Sequence, residues 1–190
     1  SGGEIEIGSE PLGDGNAAVR SRLGVVTHDT MLYEELTARE NLRLHARLHG
    51  VDQSVCEGLL ETVGLADRGG ERVAGFSHGM GKRVSLARAL VHDPDVLLLD
   101  EPYTGLDQSS LDRVEAVLDD LGDRAVLAAT HDLERGVRLA DRILFMNDGR
   151  LVGDVDTGEF PTVEDAIDRY ERLCRGDVAP AEETTARIDR

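Results

Sequence analysis

The stretch Val96-Leu97-Leu98-Leu99-Asp100-Glu101-Pro102 constrains the fold of this chain more than any other. An apolar run without polar alternation reads as a strand buried on both faces, the habit of parallel sheets covered by helices. Two carboxylates follow it directly. In open parallel sheets, ligands bind beyond the carboxyl ends of the strands, so Asp100 and Glu101 stand where chemistry is placed. Asp100 can hold Mg2+, directly or through water, because hard cations take oxygen ligands. Glu101 can polarise a water that attacks a phosphoryl group. The same residues also fit an ordinary buried strand ending in a solvated acidic turn, and one short motif does not separate the two readings.

The rest of the chain alternates between strand and helix. Glu4-Ile5-Glu6-Ile7-Gly8 has a strand's alternation, Gly13-Asp14-Gly15-Asn16 reads as a turn, and residues 23–27 form a second short strand. In Leu36-Thr37-Ala38-Arg39-Glu40-Asn41-Leu42, Thr37 and Glu40 have capping-box spacing. They open a helix that runs to about His49, where Gly50 stops it. Residues 54–63 form another helix ended by Gly64, so the region 36–92 is largely helical. After the strand at 96–99 come a helix over 109–121, a strand over 125–129 and a strand over 143–146. Asn147-Asp148-Gly149 turns the chain into Arg150-Leu151-Val152. Val163, Ala166, Ile167, Tyr170 and Leu173 recur at helical spacing behind a Thr162 cap. The tail from Gly176 is charged and reads as disordered. This order predicts an α/β fold with a mainly parallel sheet and no internal repeat.

Composition narrows the function classes. The formal net charge of -17 argues against nucleic acid as a partner, since phosphate-backbone binders need a positive patch. Lys82 is the only lysine, leaving 20 arginines among 21 basic residues. Such an acidic, lysine-poor surface suits a high-salt cytoplasm, where screening weakens self-repulsion, while a GC-rich genome would equally favour Arg over Lys. Apolar runs such as 96–99 are far too short to span a bilayer, so a membrane role has to come through a partner. Ser1-Gly2-Gly3-Glu4 has neither the basic nor the apolar region of a secretory signal, and with no initiator Met the chain reads as a cytoplasmic fragment. Cys56 and Cys174 lack CxxC spacing, which speaks against a disulfide framework or zinc site and fits a reducing compartment.

Three further motifs flank the acidic strand. Gly75-Phe76-Ser77-His78-Gly79-Met80-Gly81-Lys82-Arg83 precedes the helical Val84-Ser85-Leu86-Ala87-Arg88-Ala89-Leu90. Ser77 and Gly79 then sit at a helix N-terminus, where free N–H groups and the dipole favour an anion. Tyr103-Thr104-Gly105-Leu106-Asp107 follows Glu101, and Ala129-Thr130-His131-Asp132 closes the next strand. Arg83 and Arg88 are expected to pair with acidic neighbours or a partner subunit.

In order and spacing, these pieces resemble the ABC ATPases over nearly the whole chain. Residues 76–80 resemble the signature motif, 96–101 the Walker B strand, 104–107 the D-loop and His131 the switch histidine; Thr27-His28-Asp29 occupies the Q-loop place. The resemblance implies a P-loop NTPase-like α/β core (1–29 and 94–160), an inserted helical subdomain (30–93), a C-terminal helix (161–175) and the tail 176–190. It implies Glu101 as the base, His131 as the γ-phosphate sensor and Asp100 as the Mg2+ ligand. Ser77, His78, Gly79, Met80, Asp107 and His28 would contact ATP. Two such subunits would sandwich two ATP molecules, each signature serine reaching its partner's nucleotide. A transmembrane permease would dock on the helical subdomain, with Met31, Leu32 and Tyr33 as an apolar contact, on the inner face of the cell membrane.

The departures carry information too. His78 stands where the family has Gly, Met80 where it has Gln, and His28 takes the place of the Q-loop glutamine. A Ser-x-Gly-Met signature beside the Leu36–Leu42 sequence resembles haem-exporter-type subunits. No G-x-x-x-x-G-K-S/T occurs in the 190 residues, and Lys82 follows the signature rather than a phosphate loop. The chain is therefore expected to lack its Walker A segment, to be inactive alone and to leave apolar sheet faces uncovered. The alternatives are a soluble ABC ATPase of chromosomes, DNA repair or ribosomes, and a non-catalytic assembly module. A rival from another enzyme class also exists: Gly75-Phe76-Ser77-His78-Gly79 matches a hydrolase nucleophile elbow, with Asp107 and His131 completing a triad, if Ser77 ends a core strand. His45 and His49 have metal-ligand spacing but no third ligand, which favours a wet helix face.

Overall fold

The computed structural model describes residues 5–8, 10–12 and 16–175. The tail 176–190, Glu4 and most of the expected turn at 13–16 lie outside these residues. The described chain divides after Ala129 into two compact units.

The first unit is built on three parallel strands in the order β3-β4-β5. These are β3 (Leu23–Val26), β4 (Val96–Asp100) and β5 (Ala125–Ala129), with Val26 opposite Leu99 and Asp100 opposite Ala129. Before them, β1 (Glu6–Ile7) and β2 (Glu10–Pro11) pair antiparallel, and the four-residue α1 (Ala17–Arg20) is capped by Asn16. Between β3 and β4 the chain is helical. It forms α2 (Ala38–His49), α3 (Val55–Thr62) and α4 (His78–Leu90), followed after β4 by α5 (Gln108–Asp119).

The capping box predicted for α2 is present: Thr37 accepts from the Glu40 N–H at 3.1 Å, and the Glu40 carboxylate accepts from the Thr37 N–H at 2.8 Å. Gly50 closes α2 in the left-handed region, φ 68°. The core gathers Val26, Leu42, Leu60, Val84, Leu97, Leu99 and Val114, so helices and sheet share one apolar interior. Gly24 lies where β3 meets α4 most closely: a Cβ there would stand 2.7 Å from the Ala89 carbonyl oxygen and from Leu97 Cδ1.

Burial of β4 differs from the expectation of a strand covered on both faces. Leu97 and Leu99 are buried, while Val96 and Leu98 are only partly so. The side chains alternate, and the face shared by Val25, Leu98 and Leu127 is open, with Val25 38% and Leu127 43% exposed.

The second unit holds α6 (Leu133–Leu139), β6 (Arg142–Asn147), β7 (Arg150–Asp156) and α7 (Val163–Arg175). Here the mainly parallel expectation meets an exception. β6 and β7 pair antiparallel as a hairpin, because Asp148 and Gly149 both take positive φ in the tight turn. Phe145 stacks on Tyr170 at 5.4 Å and meets Phe160 edge-on at 6.5 Å. Asp154 accepts two 2.6 Å hydrogen bonds from the Arg142 guanidinium. Among the described residues, no helix is long and apolar enough to cross a membrane.

Candidate functional site

β4 delivers its two carboxylates as the motif requires. Asp100 ends the strand, exposed, and Glu101 follows in the left-handed region at φ 48°. Such a conformation is costly for a residue with a side chain and persists only when its surroundings fix it. Here the Glu101 N–H donates to the Ala129 carbonyl at 2.9 Å, tying the turn to β5. The Thr104 hydroxyl donates to the Glu101 carboxylate at 2.9 Å. Glu101 is thus aimed by a strand on one side and by the following loop on the other.

That loop runs into α5 through Asp107, whose side chain accepts from the Ser110 N–H at 2.8 Å and from the Ser109 hydroxyl at 2.9 Å. These bonds hold its carboxyl below the usual carboxylate range. Gly105, at φ 72°, leaves room for His78, whose Nε2 lies 3.3 Å from the Thr104 carbonyl oxygen. The loop after Glu101 and the start of α4 therefore pack on each other.

Ser77 is the N-cap of α4. Its Oγ accepts from the Met80 N–H at 3.3 Å, and its backbone is extended at φ -65°, ψ 162°. A 3-10 turn, Val73–Gly75, precedes it, not a strand, so the nucleophile-elbow reading falls. Ser77 and His78 are exposed, Met80 leans on the core, and Gly79 is buried. A Cβ at Gly79 would stand 2.5 Å from Ser110 Oγ, so a side chain here would force Ser110 or the α4–α5 contact to shift. His28 is exposed in the bend after β3, where the Thr27 hydroxyl donates to the Asp29 carbonyl at 2.7 Å. His131 lies in the second unit, exposed, beside Asp132, which caps α6 and accepts from the Arg135 N–H at 3.0 Å. Met31 and Tyr33 are each 58% exposed, while Leu32 packs against the core.

The contacts of several residues were not legible in the sequence. Lys82 is 2% exposed and donates to the Thr27 carbonyl at 3.0 Å. Burial lowers its pKa, and the nearby charges of Asp100, Asp29 and Glu101 pull it back up. Its solitary status among 21 basic residues was the available signal. Asn41 is fully buried and spans the loop before α2: it accepts from the Tyr33 N–H at 2.8 Å and donates to the Tyr33 and Thr37 carbonyls at 3.0 Å. Arg83 donates to the Val63 carbonyl at 2.9 Å and has the charge of Asp107 nearby, and Arg88 donates to the Val25 carbonyl at 2.7 Å. His49 stacks on His92 with ring centroids 4.0 Å apart, and His45 is half-buried near them.

The model of a family described as "ABC transporter" matches residues 1–104. The chain belongs to the ABC transporter family. It is 36% identical over 143 residues to the ABC transporter ATP-binding protein NatA of Bacillus subtilis, covering 72% of this chain and 58% of that protein. It is 36% identical over 160 residues to the Nod factor export ATP-binding protein I of Paraburkholderia xenovorans, covering 80% and 52%. With the daunorubicin resistance ATP-binding protein DrrA3 of Streptomyces coeruleorubidus it shares 38% over 174 residues, 87% and 55%. The chain thus spans about half the length of these relatives. Among solved structures, an ATP-binding subunit of an ABC transporter superposes with TM-score 0.71 at 28% identity, over 88% of this chain and 69% of that one. A dimeric ATP-binding cassette with ADP and Pi, 24% identical, shares the fold at TM-score 0.74, over 83% and 74%. This chain is an ABC transporter ATP-binding domain, and its α/β fold with a parallel sheet is that of ABC ATPases.

Proposed function

We propose that this domain works in the ATP-binding subunit of an ABC exporter, where Mg-ATP binding and hydrolysis drive a membrane-embedded permease. The observation that carries the reading is the Asp100–Glu101 pair at the carboxyl end of β4, with Glu101 held at positive φ by β5 and Thr104. Export as the direction is supported by relatives named for export or resistance.

Glu101 serves as the base that orients and polarises the attacking water. Asp100 is the metal ligand. Among the described residues no group of three or more His, Cys, Asp or Glu could hold a metal alone. That donor set fits Mg2+, which is held by one or two carboxylates together with substrate phosphates and water. When bound, Mg2+ would neutralise charge on the β- and γ-phosphates. Ser77 and the first N–H groups of α4 form an anion-binding end, with His78, Gly79 and Met80 around it, for the nucleotide of a second subunit. Asp107 fixes the loop after Glu101, and His28, exposed in the bend after β3, takes the Q-loop role that its place in the sequence implies. His131 keeps the γ-phosphate role that its motif implies. Met31 and Tyr33, both exposed, support the permease-docking role of that loop on the inner face of the membrane. The Ser-x-Gly-Met signature favours one second reading, a haem-exporter-like cargo.

The test is Mg-ATP binding and phosphate release by the complete gene product, alone and with its membrane partner in liposomes. ATP turnover that rises with the permease supports the reading. Turnover indifferent to any permease favours a soluble ABC ATPase, and no ATP binding at all favours an assembly module.

A further inference from the structure

The inner face of α4 and the turn that follows it present a row of donors. Leu23, Val25 and Thr27 are alternate residues of β3 and its extension, so their carbonyls share one edge. The Arg22 carbonyl, one residue out of phase, accepts from the Val96 N–H of β4, so that shared edge faces away from β4. The edge is nonetheless satisfied. His92 Nε2 lies 3.0 Å from the Leu23 carbonyl oxygen, Arg88 donates to Val25 at 2.7 Å, and Lys82 donates to Thr27 at 3.0 Å. Ser85 adds a 2.9 Å bond to the Thr30 carbonyl. Two of these donors, Lys82 and Ser85, hold the turn 27–30 rather than the strand.

That turn leaves β3 beside the carboxylates, because Val26 pairs with Leu99 and Asp100 is next along β4. Lys82 is the residue that spans the gap. Its stem lines a small apolar cavity with Val26, Leu86, Leu99, Pro102 and Val114, and its ammonium feels Asp100, Asp29 and Glu101. A buried ammonium in such a lining is costly to keep. A well-fitting apolar side chain would serve packing at least as well. The position is therefore explained by what Lys82 holds, not by what it fills.

We infer that Lys82, assisted by Ser85, is a positioning residue for ATP hydrolysis: it locks the turn carrying His28 and Asp29 onto the helix that begins at Ser77. The inference rests on the ATPase reading above. Five residues at about 1.5 Å each separate Ser77 from Lys82, so one rigid stretch of roughly 7–8 Å joins the proposed trans-nucleotide contact to the chain's own carboxylates. A nucleotide seated on Ser77 by the partner subunit then sets the turn 27–30 without an intervening hinge.

The experiment compares Lys82→Met and Lys82→Gln in the complete gene product. Met matches the stem and removes the donor; Gln removes the charge and keeps a donor for the Thr27 carbonyl. Expected for Lys82→Met is a kcat about 10-fold or more lower, with KM for Mg-ATP within about 2-fold and a thermal midpoint equal to or above the parent. Lys82→Gln should recover at least half of the parent kcat. Parent-like kcat in the Met variant overturns the inference. So does a loss that tracks a falling thermal midpoint in both variants, which would mark a structural residue. Equal loss in Met and Gln, both well folded, assigns the effect to charge and overturns the tether. A parent protein that does not hydrolyse ATP at all would strike the ATPase reading instead.

Discussion

Gly79→Ala is expected to destabilise the domain, and Ser110→Gly is expected to cancel part of the cost. The added Cβ would lie 2.5 Å from Ser110 Oγ, 3.0 Å from Ser110 Cβ and 3.7 Å from Leu106 Cδ2. Ser110 is 1% exposed and hydrogen-bonded to Asp107, so its hydroxyl cannot swing away freely. Overpacking of this kind costs about 1–3 kcal/mol. Against it stands the helix-propensity gain of Gly→Ala, about 1 kcal/mol. The net loss should therefore be about 0–2 kcal/mol. In the double variant the obstructing hydroxyl and Cβ are both gone, so the two changes should couple favourably by about 1 kcal/mol or more. Urea denaturation of the parent, both single variants and the double variant gives the coupling directly. The same four proteins separate packing from chemistry: if Gly79 also serves nucleotide binding, activity stays low in the double variant after stability has recovered. Strictly additive effects, or a Gly79→Ala protein more stable than its parent, would refute the close-approach argument.

Two other outcomes follow from the same geometry. Burial, with Arg88, His49 and His92 nearby, lowers the pKa of His45 from 6.5 to about 4. A histidine whose folded pKa is depressed is kept neutral by folding, so its contribution is present above pH 6.5 and is lost as pH falls towards 4. The full shift would be worth about 3 kcal/mol, and solvent exposure of the ring reduces that to about 1–2 kcal/mol. His45→Gln should flatten the stability profile between pH 6.5 and 4, as read by thermal melts, and an unchanged slope would contradict it. Ser77→Arg should abolish ATP-driven dimerisation in light scattering while leaving nucleotide affinity of the monomer nearly intact, because bulk and charge displace the phosphate from the α4 N-terminus. Lost affinity in the monomer would place Ser77 on the chain's own site.

Much of the architecture was legible because local signals agreed with the packing. The Thr37–Glu40 box, Gly50 and the run before Asp100 each produce the element their chemistry demands. The β6–β7 hairpin escaped the parallel expectation because alternation of strand and helix says nothing of pairing direction, whereas Asn147-Asp148-Gly149 marked the turn without its consequence. Uncovered apolar sheet faces were expected, but which residues of β4 and its neighbours they would involve was not legible, because a continuous apolar run does not reveal which face is covered. At the candidate site, residue order identified Glu101, Ser77 and Asp107 as candidates. Lys82 and Asn41 were missed because their partners are backbone carbonyls and amides, which leave no mark in a side-chain pattern.

The central claim is that Glu101 is the base of an ATPase. The most direct measurement is steady-state phosphate release by the complete gene product and its Glu101→Gln variant, with ATP binding titrated in parallel. The amide keeps the shape of Glu101 but supplies no charge for the attacking water, so binding should persist while turnover falls by about 10²–10⁴-fold. Hydrolysis at the parent rate by Glu101→Gln would contradict the account.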